Sequence, residues 1–285
     1  MQAGNGSCRR RGNIKQGAGM KIAVCIKQVP GTTQVEVDPV TGTLKRDGVE
    51  SKLNPYDLYA LETALRLKEQ LGAEITALTM GPPQAEEILR EAYMMGVDDA
   101  VLVSDRKFAG ADVLATSYAI SQALRAGGPF DLIICGRQTT DGDTAQVGAE
   151  LAEFLGIPHV ANVIRIEGAN RAELILRCDL PLEEVTLALP LPALICVEKN
   201  VGEPRLPSYR LKLATAGAEI RRLSLADLPD SDENHYGLNG SPTQVIRIFP
   251  PETGGEREIW EGSGPELAGK LYSYLADHKF LQQPR

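Results

Sequence analysis

The sequence predicts an α/β fold, a parallel sheet with helices on both faces, and three observations carry that prediction. Short apolar runs at 21–29, 74–80, 99–103 and 130–135 have the length and composition of strands buried on both faces. Stretches of helical spacing separate them, at about 55–71, 83–95 and 111–125. Proline and glycine punctuate the joins. Strand alternating with helix is the pattern of a doubly wound, Rossmann-like sheet built from right-handed crossovers.

Taken in order, residues 1–19 are rich in Gly and Arg and show no apolar period, so they read as a disordered extension, with Met20 as the natural start. The strand at 21–29 stops at Pro30-Gly31, which reads either as an ordinary turn or as backbone that lets a flat ring approach closely. Residues 35–46 read as a hairpin around Pro39-Val40-Thr41-Gly42. Asn54 caps the next helix, Pro55 opens it, Leu58, Leu61, Leu65 and Leu71 form its apolar stripe, and Gly72 ends it. After Pro158 the segments at 163–166, 174–177 and 185–189 look like antiparallel strands, and 193–197 returns to a buried strand. From Glu198 onward prolines break the chain into short pieces, which predicts an extended C-terminal arm lying across a partner, closed by a helix at about 264–276.

The segment with chemistry follows the strand at 130–135. It runs Gly136, Arg137, Gln138, Thr139, Thr140, Asp141, Gly142, Asp143, Thr144, Ala145, Gln146, Val147 and Gly148, and leads into a helix that ends at Gly156. Ligands of open α/β sheets bind at the carboxyl ends of strands. A helix start near Asp143 offers free N–H groups to a phosphate, and Gly142 lets the backbone come close to an anion. The plainer alternative is a surface loop in which Asp143 or Thr144 caps the helix. Asp141-Gly142-Asp143 lacks the glutamate of a calcium loop, which argues against a cation site.

Composition bounds the rest. The 285 residues carry a net charge of -8, although Arg9, Arg10, Arg11 and Lys15 make the first 19 residues basic, so the body is acidic. That balance disfavours nucleic acid and anionic membranes, and no apolar run reaches the roughly 20 residues of a spanning helix. Cys8, Cys25, Cys135, Cys178 and Cys196 form no CxxC, which fits a reduced, cytoplasmic protein. His159, His235 and His278 have no metal-ligand spacing, and no nucleophile elbow, HExxH, Walker lysine or GxGxxG is present. A nucleotide-type loop without a catalytic constellation suggests a carrier, a sensor or one subunit of an enzyme.

Several segments, in order, carry a resemblance. They are Cys25-Ile26-Lys27-Gln28-Val29-Pro30, Leu53-Asn54-Pro55-Tyr56-Asp57, Met80-Gly81-Pro82, the loop 136–148, and Glu198-Lys199-Asn200-Val201-Gly202-Glu203-Pro204-Arg205. Together they resemble the beta subunit of electron transfer flavoproteins, from Met20 to the C-terminus. The chain departs from that pattern at Asp179-Leu180-Pro181-Leu182, where the family has an acidic-glycine turn, and at Ala145, where asparagine is common. The resemblance implies an adenine nucleotide-binding, HUP-like fold, with residues 20–200 as the nucleotide/FAD-binding domain and 201–285 as a recognition loop and arm packing on an FAD-carrying alpha subunit. It implies cofactor contacts from Cys25, Asn54, Pro55, Tyr56, Asp57, Met80 and the loop Gly136 to Val147. The cofactor is FAD in electron-bifurcating members and AMP in simple carriers.

Gln28-Val29-Pro30-Gly31-Thr32 and Thr139 to Thr144 most resemble the bifurcating members paired with caffeyl-CoA reductase or lactate dehydrogenase. In those, NADH reduces the beta-subunit flavin; one electron passes to ferredoxin or flavodoxin and the other, through the alpha-subunit FAD, to an acyl-CoA or lactate-type dehydrogenase. A simple carrier with structural AMP is the second reading, and a stand-alone nucleotide-binding sensor the third. Arg205, Leu206, Tyr209, Arg210, Leu211 and Lys212 alternate basic and apolar, which suits a surface meeting the partner dehydrogenase or, alternatively, the alpha subunit alone.

Overall fold

The computed structural model describes residues 19–31, 51–246 and 258–281. By their contacts they fall into two units, Met1–Ile246 and Arg247–Arg285. The first unit opens with β1 (Lys21–Cys25), then β2 (Gln28–Pro30) and β3 (Ser51–Leu53), which pair antiparallel as a separate small sheet. The hairpin expected at 35–46 lies outside the described residues. The single strand expected over 21–29 is two strands. The chain leaves the main sheet at Lys27, whose N–H donates to the Asp57 carboxylate (2.7 Å) and whose carbonyl accepts the Asn54 N–H (2.9 Å).

Next come α1 (Pro55–Leu71), β4 (Glu74–Met80), α2 (Glu86–Met95), β5 (Asp99–Val103), α3 (Val113–Gly127), β6 (Leu132–Gly136) and α4 (Val147–Leu155). Pro55 stands in the first turn of α1 and Gly72 closes it in the left-handed conformation, φ 67°. Asn54 is at the cap position, but its side chain makes no capping bond. Asp112 caps α3 by accepting the Ala115 N–H (3.1 Å).

The chain continues through β7 (His159–Ala169), β8 (Glu173–Asp179), β9 (Glu184–Pro190), β10 (Ala193–Val197), α5 (Tyr209–Ala214) and β11 (Arg221–Leu223), with α6 (Gly264–Asp277) in the second unit. The main sheet has the order β11-β5-β4-β1-β6-β10-β7-β8-β9. From β11 to β7 every pairing is parallel; β8 pairs antiparallel with both β7 and β9. The three strands expected after Pro158 are present, and β7 joins them to the parallel part. The Asp179-Leu180-Pro181-Leu182 segment enters the β8–β9 turn, closed by the Leu180 N–H on the Glu183 carbonyl (3.0 Å).

Two apolar layers sandwich the parallel strands. Leu61 and Leu65 of α1 and Leu89 of α2 pack with Ile22, Ile75 and Ile134 on one face. Ala119 and Ala123 of α3 and Leu151 and Ala152 of α4 pack with Ala23, Ile133 and Leu194 on the other. The proline-rich stretch after Glu198, expected as an extended arm lying across a partner, also packs on the chain's own sheet. It returns to the sheet as β11, beside β5. Tyr236 then packs against Phe108 and Tyr118, and Asp230 accepts the Tyr118 hydroxyl (2.5 Å) and pairs with His235 Nδ1 (2.6 Å). A segment too irregular to build a core thus joins an existing one through aromatic side chains.

Candidate functional site

The chain builds outward from β1 through β4 to β5, then crosses to β6 on the other side of β1. The sheet order therefore reverses between β1 and β6, and the loop after β6 leaves the sheet at that switch point, where such folds take ligands. Cys25 and Cys135 are register partners across it, and Cys196 is the partner of Cys135 on β10. The three buried thiols form a row at the carboxyl end of the sheet. Hydrogen bonding with Cys196 and Cys25, together with burial, pushes the Cys135 thiol well up, so Cys135 serves packing rather than as a nucleophile.

The loop is held from beneath by the start of α1. Asn54, fully buried, donates from Nδ2 to the Gln138 carbonyl (2.9 Å) and accepts the Thr140 N–H on Oδ1 (3.2 Å). That use explains why it leaves α1 uncapped. Gly136, the last residue of β6, lies against Tyr56 and Asp57; a Cβ there would come within 2.7 Å of the Tyr56 carbonyl carbon. Asp57 is buried, and burial raises its carboxyl to about 7 against the lowering effect of bonds from Asn54, Lys27 and Gly136.

Above that base the loop is cross-braced. Lys27 Nζ donates to both Asp141 oxygens, each at 2.8 Å. Burial works to raise the Asp141 carboxyl, but the Lys27 ammonium outweighs it and holds the group below the ordinary range. Gln138 Nε2 reaches Asp143 Oδ1 (2.5 Å), and the Thr139 carbonyl accepts the Asp143 N–H (3.1 Å). The Arg137 N–H bonds the Val197 carbonyl (3.0 Å) while its guanidinium pairs with Glu198.

The helix start differs from the sequence expectation, and the loop backbone is left-handed at two residues that are not glycine. Asp143 (φ 52°) and Ala145 (φ 55°) take the left-handed conformation, whereas Gly142 does not. Space at Gly142 is open: a Cβ would meet only Thr139 Oγ1, at an ordinary 3.6 Å. The helix begins at Val147, not near Asp143, so neither Asp143 nor Thr144 caps it. Gln146 occupies the cap position and makes no side-chain capping bond. The first-turn N–H groups of α4 are thus left without a side-chain partner, at the positive end of the helix. Gly148 seats this turn on the thiol row, since a Cβ there would overlap Cys196 Sγ and come within 3.4 Å of Leu194 Cδ2.

These features fit a phosphate-bearing nucleotide. Residues Thr140 to Gln146 are exposed, the helix start is uncapped, and Thr79 Oγ1, next to Met80 at the end of β4, is buried without a partner. Met80 is half-buried against the α3–α4 layer. The structure therefore brings Cys25, Asn54, Pro55, Tyr56, Asp57, Met80 and the loop Gly136 to Val147 to one edge, but gives them different work. Asn54, Asp57 and Arg137 are engaged with protein groups, while the loop crest and the α4 start are open. Lys27, Gly148 and Glu198 were not among the predicted site residues. The signal for the two charged ones was their place, within two residues of the carboxyl end of a buried strand. Half-open clefts lie elsewhere. One of about 340 Å³ is lined by Ser104, Arg222 and Ser224 at the ends of β5 and β11, and the loop does not line it. Among the described residues no cluster of His, Cys, Asp or Glu is arranged for a metal, and no helix is long and apolar enough to cross a membrane.

Comparison with known proteins identifies the family. The electron transfer flavoprotein domain family matches residues 41–228. The chain is 43% identical over 257 residues to the electron transfer flavoprotein subunit beta of Thermoanaerobacterium thermosaccharolyticum, covering 90% of this chain and 98% of that one. It is 43% identical to Protein FixA of Bradyrhizobium diazoefficiens, with 93% of each chain covered. The caffeyl-CoA reductase-Etf complex subunit CarD of Acetobacterium woodii is also 43% identical, with 92% of this chain and all of that one covered.

Proposed function

We propose, from the premise that this chain belongs to the electron transfer flavoprotein family as a beta subunit, that its switch-point loop holds the diphosphate of FAD and that the protein bifurcates electrons. The observation that carries the reading is the braced loop running into an uncapped α4. Asn54 and Lys27 fix the loop from below and from the side, and Gly148 sets the height of the helix start. The free N–H groups then meet the phosphates without reorganising. A flavin bound there would supply one- and two-electron chemistry; the protein supplies its position and field.

In this reading NADH is the donor, and ferredoxin or flavodoxin takes one electron. The other passes through the FAD of an alpha subunit to a partner dehydrogenase, in the cytoplasm. Residues 20–200 form the nucleotide part and 201–285 the partner-facing part. The name of CarD puts that relative in a caffeyl-CoA reductase-Etf complex, which supports an acyl-CoA-type partner over a lactate-type one. Docking falls to Leu206 and Tyr209, which are 87% and 73% exposed, rather than to Arg205, which is engaged with Glu62 and Glu69. The test is nucleotide extraction and an absorption spectrum of the purified alpha–beta complex. Two FAD per heterodimer are expected. One FAD and one AMP would make it a simple carrier, and no second nucleotide would overturn the site.

A further inference from the structure

The segment that carries Leu206 is held by a buried carboxylate on α1. Glu62 is 5% exposed. Its Oε2 accepts the Arg205 backbone N–H (3.1 Å) and Arg205 Nε (2.7 Å). Its Oε1 accepts Arg205 Nη2 (3.1 Å) and Arg66 Nε (2.8 Å). Glu69 takes Arg205 Nη1 (2.7 Å), and Arg66 Nη2 reaches the Glu203 carbonyl (3.3 Å). Gly202 lies flat on the Arg66 guanidinium, where a Cβ would come within 2.8 Å of Cζ. Downstream, the Ser208 N–H donates to the Met94 carbonyl (2.8 Å). Leu206 therefore stands between two fixed points, Arg205 and Ser208, with Pro204 and Pro207 restricting the backbone on either side.

A surface helix needs no such arrangement for its own stability. Glu62 and Arg66, four residues apart, already form a pair within α1. The three further bonds all go to Arg205, 143 residues away, and the side chains of Leu206 and Tyr209 that follow bury little against the chain itself. We infer that Glu62 is a positioning residue for partner docking: by fixing Arg205 it presents Leu206 and Tyr209 in the arrangement that the partner dehydrogenase meets. The inference rests on the docking reading above. Its physical basis is preorganisation, since a loop ordered before encounter does not lose that freedom on binding. Burial works to raise the Glu62 carboxyl, but the Arg205 and Arg66 bonds outweigh it and keep it ionised well below neutral pH.

The test uses the intact alpha–beta complex and a purified acyl-CoA dehydrogenase as the probe. Glu62→Ala should raise the KM for the dehydrogenase about tenfold with little change in kcat, while cofactor content stays at the wild-type value and the melting temperature falls by several degrees from loss of the buried ion pair. Glu62→Gln, which still accepts hydrogen bonds, should fall between. Amide exchange over 203–209 should accelerate in both. Arg205→Lys keeps the charge but loses the forked geometry, and should reproduce the KM effect should Glu62→Ala fold poorly. Tyr209→Ala separates the two claims. No change in that variant overturns the docking reading and this inference with it. A raised KM in Tyr209→Ala, with Glu62→Ala and Arg205→Lys at the wild-type KM, overturns the positioning role alone. Equal losses of melting temperature, cofactor and transfer in both Glu62→Ala and Arg205→Lys would make the cluster structural and overturn it as well.

Discussion

At the scale of single residues, Asp57 makes the site sensitive to pH. It is buried, bonded to the Lys27 N–H, and raised to about 7 from 3.8, chiefly by burial. Between those values the folded protein holds a proton that the unfolded chain has released. Stability from this residue is therefore fully present below about pH 4, declines as pH rises toward 7, and is constant above. The decline is on the order of 4 kcal/mol at most. Asp57→Asn keeps the shape and removes the titration, so melting temperature measured from pH 4 to 8 should fall less steeply in the variant. An unchanged slope would place the titration elsewhere. Gly136 has a steric role beside it. Gly136→Ala sets a methyl against the Tyr56 backbone and the Asp57 carboxylate, and should cost about 1–3 kcal/mol in denaturant unfolding.

At the scale of elements, the loop and the start of α4 act together. Because Ala145 is left-handed, Ala145→Val should lower nucleotide occupancy in the purified complex. Gly142→Val should lower it too, without loss of melting temperature, because the open space beside Gly142 is where the proposed diphosphate would lie. Full occupancy in either variant would count against that residue's role. Gly148→Ala should push α4 off Cys196 and Leu194 and cost about 1–3 kcal/mol as well as nucleotide, read by calorimetry and extraction. These residues mark what was legible in the sequence. Buried strands and the glycine-closed ends of helices were, because apolar period and glycine position encode them locally: β4 and β5 coincide with the runs at 74–80 and 99–103, and Gly72 and Gly156 end their helices. The left-handed residues were not: Asp143 is held in that conformation by its bonds with Gln138 and Thr139, and nothing in the residue type of Ala145 signals it. The departure of the chain at Lys27 depends on Asn54 and Asp57, 27 and 30 residues away, and no local pattern reveals it. β11 is three residues with no alternation, assembled by the edge of β5.

At the scale of the molecule, the buried apolar residues among those described all precede residue 237, the last being Tyr236. The first unit thus contains the core, the sheet and the loop after β6. The second is organised differently. α6 buries none of its residues; Trp260 packs edge-on to Tyr274 at 5.6 Å, Lys270 stands 4.6 Å over the Trp260 ring, and Leu271, Tyr272 and Phe280 are exposed. Exposed aromatic and aliphatic side chains on one short helix are the composition of a protein–protein contact rather than of a solvated surface. Under the function proposed above, the alpha subunit is the partner that such a helix would meet. Ending the chain after Ile246 should therefore leave the melting temperature of the beta subunit within a few degrees, about the shift that 1 kcal/mol produces in a domain of this size. The same truncation should weaken association with the alpha subunit by about tenfold or more, measured by titration calorimetry or analytical ultracentrifugation. Wild-type affinity in the truncated chain would show that the interface lies wholly on the first unit. A large fall in melting temperature would show that α6 supports the core after all.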